Sequence, residues 1–219
     1  MQNLVNEFFN IEIMLRVLPM ILAGCLQTLL LCLLLIPIGL VGGIGAMLLA
    51  TSPYRLVRWP AIALIDFFRS FPPLVLLIFV YSGLPFLGLQ IPALLAVCIA
   101  FLLNSSSYYG EIYRAGVKSV PAGQREAARS TGLNAAQSWI YVVLPQAVRN
   151  VLPDLLSNTV ELVKLTTLAS VISVPELLHS ADLARSLTYN TSPLILASAT
   201  YLVVLWPIVF AISRLEHKL

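Results

Sequence analysis

Five apolar stretches, near 18–48, 59–82, 91–113, 151–174 and 194–214, are each long enough to cross a lipid bilayer, which takes roughly 20 residues as a helix. Together they fill most of the chain and leave it little choice of fold. Hydrocarbon offers no partner to a backbone N–H or C=O, so a segment that spans it must satisfy its own polar groups. Charged residues make up 11% of the 219, against about a quarter in soluble domains, and mean hydropathy is +0.91. The expected fold is all-α, a single transmembrane domain over 1–219 with about five membrane helices. Turn residues punctuate it at Ser52-Pro53, Gly83-Leu84-Pro85, Gly88, Pro92 and Ser192-Pro193.

Basic residues give the expected orientation. With the N-terminus outside, five spans put the C-terminus inside. The inside segments then hold Arg55, Arg58, Arg69, Arg114, Lys118, Arg125, Arg129, Arg149, Arg214 and Lys218, and the outside segments hold Arg16 and Arg185. Lys164 falls within the fourth stretch. Lys and Arg collect on the cytoplasmic side of membrane proteins, so the expectation is N-out, C-in. The outer segment Pro175 to Pro193 carries Glu176, His179, Asp182 and Arg185. It reads as a solvated connector, or as a short surface helix in touch with an external partner.

Other function classes find little support. A net charge of +3 is too small to suggest a nucleic-acid partner. Cys25, Cys32 and Cys98 lie in apolar runs without metal-type spacing, as expected of small core hydrophobes. The two histidines, His179 and His217, fall outside the apolar stretches, and neither HExxH nor GxSxG occurs. No metal site and no catalytic centre are expected in this chain. Gly39, Gly42, Gly43 and Gly45 superficially suggest a dinucleotide loop, but no strand precedes them. Small residues three or four apart let membrane helices approach closely, so packing is their expected role. Pro37 is expected to bend the first stretch. No GxxxxGK followed by Ser or Thr is present, so nucleotide would have to be bound by another chain. Glu7 and Glu12 near the N-terminus are unlike the basic flank of a cleavable signal peptide.

One polar segment interrupts this pattern, the loop 114–149. Pro121-Ala122-Gly123 breaks the exit from the third stretch, and Gln124 to Thr131 reads as a short helix. Glu126 falls near the start of that helix, where a carboxylate complements the dipole. Ala127 and Ala128 are expected to leave a bare face suited to insertion into a groove on another protein. Gly132 can end the helix in a left-handed conformation, and Asn134 can cap the next helix, Ala135 to Leu144. Pro145 marks a climb back to the membrane, and a further break is expected at Pro153.

Ionisable residues inside apolar stretches are costly and are functional candidates. Asn104, Tyr108 and Glu111 follow at spacings of four and three, and Asn158, Glu161 and Lys164 at three and three, so each set shares a helical face. With Thr166 and Thr167 these faces could line a path for a small polar solute. Glu161 would hold an ammonium and Lys164 a carboxylate. The alternative is that Glu161 and Lys164 pair with each other. Asp66 with Arg69, and Glu111 with Arg114, are three apart near the cytoplasmic side and read as structural or gating ion pairs. Pro72-Pro73 breaks helical hydrogen bonding and reads as a hinge.

The polar loop also carries a recognisable spacing. It runs Glu126-Ala127-Ala128, three residues, Gly132, nine residues, Val142, one residue, Leu144-Pro145. This closely resembles the coupling loop of the importer permeases of ATP-binding-cassette (ABC) transporters. Phe67 to Val75 (FFRSFPPLV) looks like the FFRGTPLLV element of the polar amino acid permeases, and Tyr109 to Gly116 (YGEIYRAG) like YxAEIxRGG. Ser119 to Ala128 looks like SIPKGQxEAA, Leu144 to Arg149 like LPQAxR, and Asn158 with Lys164 to Leu168 like N…KDTSL. Leu165 stands where that family usually has Asp. The resemblance covers nearly the whole chain.

The resemblance implies a type I, MetI-like permease of the bacterial inner membrane, from the group that moves histidine, glutamate, glutamine, arginine and opines. It implies two ABC ATPase subunits beneath two permeases, the second a homologous chain that is either another copy or a different partner; Leu165 in place of the family's Asp favours a non-equivalent partner. A periplasmic or lipid-anchored binding protein would deliver the amino acid. ATP and Mg would be held by the ATPases, whose closure moves the coupling helices and flips the path between outward- and inward-facing states. Gln124, Glu126, Ala127, Ala128, Gly132, Leu144 and Pro145 are the implied ATPase-coupling residues. The rival class is an ATP-independent secondary transporter or channel for small polar solutes. Such proteins often carry inverted repeats, and none is visible here.

Overall fold

The chain is helical wherever its sequence is apolar, but two of the five expected stretches are built differently from expectation. The computed structural model describes residues 2–216, so His217 and Lys218 lie outside the described residues, among which there is no strand. α1 (Gln2–Phe8) precedes α2 (Ile11–Ala50), a helix of 40 residues. At 1.5 Å per residue α2 is about 60 Å long, twice the thickness of a hydrocarbon core. Helical structure continues through Pro37. Four helical runs are long and apolar enough to span a membrane. They include α2, α5 (Ala93–Ser119) and α10 (Ser192–Glu216).

The second stretch is not one helix. α3 (Arg55–Ser70) ends and α4 (Pro73–Gly83) begins on either side of Phe71-Pro72, and the two make a fifth span only when taken together. Two consecutive prolines supply no N–H for the helical ladder. Phe71, the residue before a proline, is driven out of the helical region and sits at φ −83°, ψ 127°.

The fourth stretch departs in the opposite sense. The breaks expected at Pro145 and Pro153 do not occur, and helical structure runs from Ala135 to Ile172. It passes through α6-flanking α7 (Ala135–Ser138), a π-helical turn (Trp139–Val143), α8 (Leu144–Leu165) and a 3-10 segment (Thr166–Ile172), where α6 is Ala122–Ser130. A proline ring presses on the carbonyl four residues before it. For Pro145 that carbonyl belongs to Tyr141, within the π turn, whose wider ring accommodates the clash. For Pro153 it belongs to Arg149, an exposed residue whose freed carbonyl can be solvated.

The chain divides into two compact units. One comprises Met1–Ile36, Pro73–Ala100 and Val160–Phe210. Its core joins Val17 and Ile21 of α2 to Leu177, Ala181 and Ala184 of α9 (Leu177–Thr188) and to Ala197 of α10. The segment expected as a solvated connector or surface helix is thus a helix with one buried face. Leu177, Ala181 and Ala184 recur at helical spacing and point inward, while Asp182 and Arg185 pair outside at 2.8 Å. A Cβ added at Gly24 would lie 3.0 Å from the Leu177 Cα, so α2 and α9 touch backbone to backbone there.

The other unit comprises Pro37–Pro72, Phe101–Thr159 and Ala211–Leu219. Here the glycines of α2 do what small residues do in membranes. A Cβ at Gly39 would meet the Tyr109 ring at 2.9 Å, and one at Gly43 would meet the Tyr109 Cβ at 2.5 Å. Tyr109 of α5 is fully buried in the space they leave.

Candidate functional site

The polar loop is an ordered element. α6 starts at Ala122, two residues earlier than the sequence suggests, and Pro121 precedes it as the cap. Glu126 therefore sits beyond the first turn, where its carboxylate no longer complements the helix dipole. The two alanines do not share a face: Ala127 is exposed, whereas Ala128, about 100° further round the helix, is buried within the chain. The expected flat face holds for Ala127 alone. Gln124, Glu126, Leu144 and Pro145 are exposed.

Gly132 adopts φ +89° and ends the α6 segment in the left-handed region, as its spacing suggests. Asn134 then caps α7 through a reciprocal box: Gln137 N–H donates to Asn134 Oδ1, and Asn134 N–H donates to Gln137 Oε1, both at 2.9 Å. Val117, Val120, Val143 and Ala147 form a small core under the loop. Arg125 Nη2 donates to the Val117 carbonyl at 2.8 Å, which fastens α6 to the last turns of α5. Gly132→Val would place a β-branched residue in a left-handed conformation at a cost of about 1–2 kcal/mol. Amide exchange across Ala122–Ser130 is expected to speed up by about 5- to 30-fold. Unaltered exchange in that peptide would show that Gly132 does not hold the turn.

Each ion pair foreseen at i, i+3 is formed. Arg114 Nε donates to Glu111 Oε2 at 2.8 Å, Lys164 Nζ to Glu161 Oε2 at 2.8 Å, and Arg69 lies 3.8 Å from Asp66. The Lys164–Glu161 pair is about half exposed on the helix even though it lies within an apolar span. Beside it is a cavity of about 780 Å³ lined by Lys164, Thr167, Ser198, Tyr201, Leu205 and Trp206. Thr166 is fully buried and bonds its own helix, its hydroxyl donating to the Val163 carbonyl at 2.7 Å. Thr167 likewise donates to the Lys164 carbonyl at 2.8 Å but remains at the cavity wall. Asn158 is half-buried on α8, one turn before Glu161.

Asn104 and Tyr108 have partners of a different kind. Asn104 is 2% exposed, and its Nδ2 donates to the Phe68 carbonyl at 3.0 Å. The Tyr108 hydroxyl donates to the Arg69 carbonyl at 3.0 Å, and the Arg69 guanidinium lies 5.5 Å from the Tyr108 ring centre. Both donors thus reach the end of α3 at its proline break.

Comparison with known proteins now decides the family. Residues 36–219 match the model of the binding-protein-dependent transport system inner membrane component. The chain belongs to this family. Among its relatives, the probable amino-acid ABC transporter permease protein YckA of Bacillus subtilis (strain 168) is 38% identical over 84% of this chain and 82% of its own. The arginine transport system permease protein ArtQ of the same organism is 35% identical over 92% and 93%. The crystal structure of an amino acid ABC transporter with histidines superposes with a TM-score of 0.87 at 36% identity, covering 94% of this chain and 97% of that one. An inward-facing MetNI methionine ABC transporter superposes at 0.75 with 19% identity over 94% and 97%, which supports the fold.

The permease is a multi-pass inner-membrane subunit of a binding-protein-dependent importer and not itself an enzyme. Its family works with an ATPase and a substrate-binding protein. Two features of the permease were not foreseen from its sequence. The first is Tyr109, whose hydroxyl meets Thr159 Oγ1 at 2.7 Å. Thr159 gives its own hydrogen to the Leu155 carbonyl at 2.7 Å, so the tyrosine is the donor. The glycine spacing on α2 was the signal for a large partner opposite. The second is Glu176, fully buried, which caps α9. Its carboxylate accepts from Leu178 N–H at 2.9 Å, His179 N–H at 2.6 Å and the Tyr201 hydroxyl at 3.0 Å. Burial pushes the Glu176 carboxyl above its usual range, against the pull of the Leu178 and His179 amides. A carboxylate directly before an apolar helix was its signal.

Proposed function

We propose that this permease moves a polar amino acid inward, with the Lys164–Glu161 pair as its main contact in the path and α6 as its contact with the ATPase. The observation that carries the substrate class is the half-exposed ion pair at the mouth of a cavity within a span. A charged side chain near the bilayer centre costs roughly 2.5–3.5 kcal/mol or more, and such residues face protein or a water-filled path. A zwitterion presents the complementary pattern, its carboxylate to Lys164 and its ammonium to Glu161. Thr167 and Ser198 line the same cavity and would offer hydroxyl oxygens to the polar side chain, beside the apolar wall of Leu205 and Trp206. Thr167, at the cavity wall, belongs to the same proposal. Thr166 is left out of it because it is fully buried with its hydroxyl spent on Val163, and Asn104 and Tyr108 because their donors are spent on Phe68 and Arg69.

The loop supports the coupling half of the reading. α6, with Gln124, Glu126 and Ala127 exposed, is held to α5 through Arg125 and so can pass a push into the span. In this proposal the N-terminus is outside and the loop is cytoplasmic, two ATPase subunits hold ATP and Mg, and a second, related permease completes the path. A periplasmic or lipid-anchored protein delivers the amino acid.

The test is the ATPase rate of the complete complex in liposomes, with its binding protein, against a panel of amino acids. One or a few polar amino acids should raise the rate. Lys164→Met should lower uptake at least about tenfold, the equivalent of one charge-assisted contact, while the complex still assembles. Uptake that continues without ATP would return the lone-carrier reading, and a Lys164→Met complex with wild-type uptake would remove the ion pair from the path.

A further inference from the structure

We propose that Asn104 and Tyr108 are positioning residues that hold the end of α3 at its proline break and tie it to the coupling loop. In an α-helix the carbonyl of residue i accepts from the N–H of residue i+4. The carbonyls of Phe68 and Arg69 should therefore accept from residues 72 and 73, and both are prolines without an N–H. The last regular bond of α3 is Phe71 N–H to the Phe67 carbonyl at 3.0 Å. The two orphaned carbonyls are the two that Asn104 Nδ2 and the Tyr108 hydroxyl reach, each at 3.0 Å. An unsatisfied carbonyl in an apolar setting costs several kcal/mol. The donors lie 36 and 39 residues in sequence from the carbonyls they serve, and with the double proline they form one device.

Asn104 and Tyr108 are one turn apart on α5, so a shift of α5 moves both donors together. α5 is also the helix to which the loop is fastened. Arg125 of α6 grips the Val117 carbonyl at 2.8 Å, nine residues or about 13 Å along α5 from Tyr108. Val117 and Val120 pack on Val143 and Ala147 at the same end. Displacement of α6 is carried by α5 as a rigid rod to the ends of two hydrogen bonds on the break. Phe71 and the two prolines are the point where the backbone can yield without breaking any further helical bond. This inference rests on the importer reading above and adds the residues that transmit its stroke.

The test uses the complete complex in liposomes with its binding protein, and reads amino acid taken up per ATP hydrolysed. Tyr108→Phe keeps the ring over the Arg69 guanidinium and removes only the donor. Asn104→Leu keeps the shape and removes the amide. Each should lower uptake per ATP by about threefold or more, with the concentration for half-maximal uptake moving less than about twofold. Pro72→Ala supplies residue 72 with an N–H for the Phe68 carbonyl, so adding it to Asn104→Leu should bring the ratio back towards wild type. The rescue also serves if Asn104→Leu alone folds poorly. An unchanged ratio in Tyr108→Phe, or an altered substrate preference at unchanged ratio, would overturn the proposal and return these side chains to the substrate. So would failure of Pro72→Ala to rescue. A wild-type complex whose ATPase ignores the binding protein would overturn the importer reading itself, and this inference with it.

Discussion

Gly43→Leu is expected to leave almost no folded permease. The Cβ alone would lie 2.5 Å from the Tyr109 Cβ and 3.1 Å from the Gly110 backbone. Neither is the free end of a flexible side chain, so α2 and α5 would have to move apart. Overpacking of this kind costs about 1–3 kcal/mol, and more where backbone must shift. Net stabilities are only about 5–15 kcal/mol. Tyr109 would also lose its seat, and with it the bond from its buried hydroxyl to Thr159. Gly45, two residues on, faces open space. Gly45→Leu is the matched control and should keep wild-type yield. The measurement is the amount of monodisperse complex after extraction, with its thermal midpoint. A Gly43→Leu complex that melts with the wild type would mean that α2 and α5 are not packed through this glycine.

The second large effect is expected at Glu176. Removing the carboxylate in Glu176→Ala strips the cap from α9, worth about 0.5–2 kcal/mol. It also leaves the Tyr201 hydroxyl without its acceptor, at a further 1–3 kcal/mol or so. A loss of about 2 kcal/mol or more should appear as a lower thermal midpoint. The sign of the pH dependence follows from burial, which raises the carboxyl above its ordinary value of 4.5. The folded chain then holds this proton more tightly than the unfolded chain does. Its contribution to stability is complete below the ordinary value and is lost as pH rises through the folded one. Glu176→Gln cannot titrate, so the midpoint of the variant should gain on the wild type as pH is raised from about 4.5. Parallel curves for the two proteins would show that Glu176 titrates normally.

Features set by near neighbours in sequence were legible without coordinates. The spacing of three that suggested Asp66–Arg69, Glu111–Arg114 and Glu161–Lys164 is a local property of a helix, and all three pairs form. Gly132 and Asn134 announced a left-handed stop and a cap, and the chain uses both. The apolar runs announced helices because lipid permits little else.

What escaped the sequence depended on distant partners. Pro72-Pro73, Pro145 and Pro153 all read as breaks, yet only the first is one. A proline removes a donor wherever it falls, but whether the helix yields depends on what the freed carbonyl meets next. At Phe68 and Arg69 it meets donors from a helix more than thirty residues away, and the break is kept. At Tyr141 the helix widens, and Arg149 is an exposed residue whose carbonyl can be solvated. Distance likewise hides the acceptors of Asn104 and Tyr108: their spacing on α5 suggests a polar lining but does not show that their donors reach Phe68 and Arg69. Ala128 differs for a smaller reason. Adjacent residues of a helix lie about 100° apart around its axis, so Ala127 and Ala128 cannot share one narrow face, and Ala128 is the one turned into the chain.

The π turn at Trp139–Val143 has one more consequence. It holds one residue more than an α turn would, upstream of the fixed start of α8 at Leu144. Deleting one residue there would return the segment to α geometry and leave the residues before it on the faces they now occupy, because the wider turn absorbs its extra residue. Deleting one from an α-helical turn beside it would instead rotate everything before it by about 100° about the helix axis. Single deletions between Trp139 and Val143 should therefore be better tolerated than deletions in the α-helical turns that flank them.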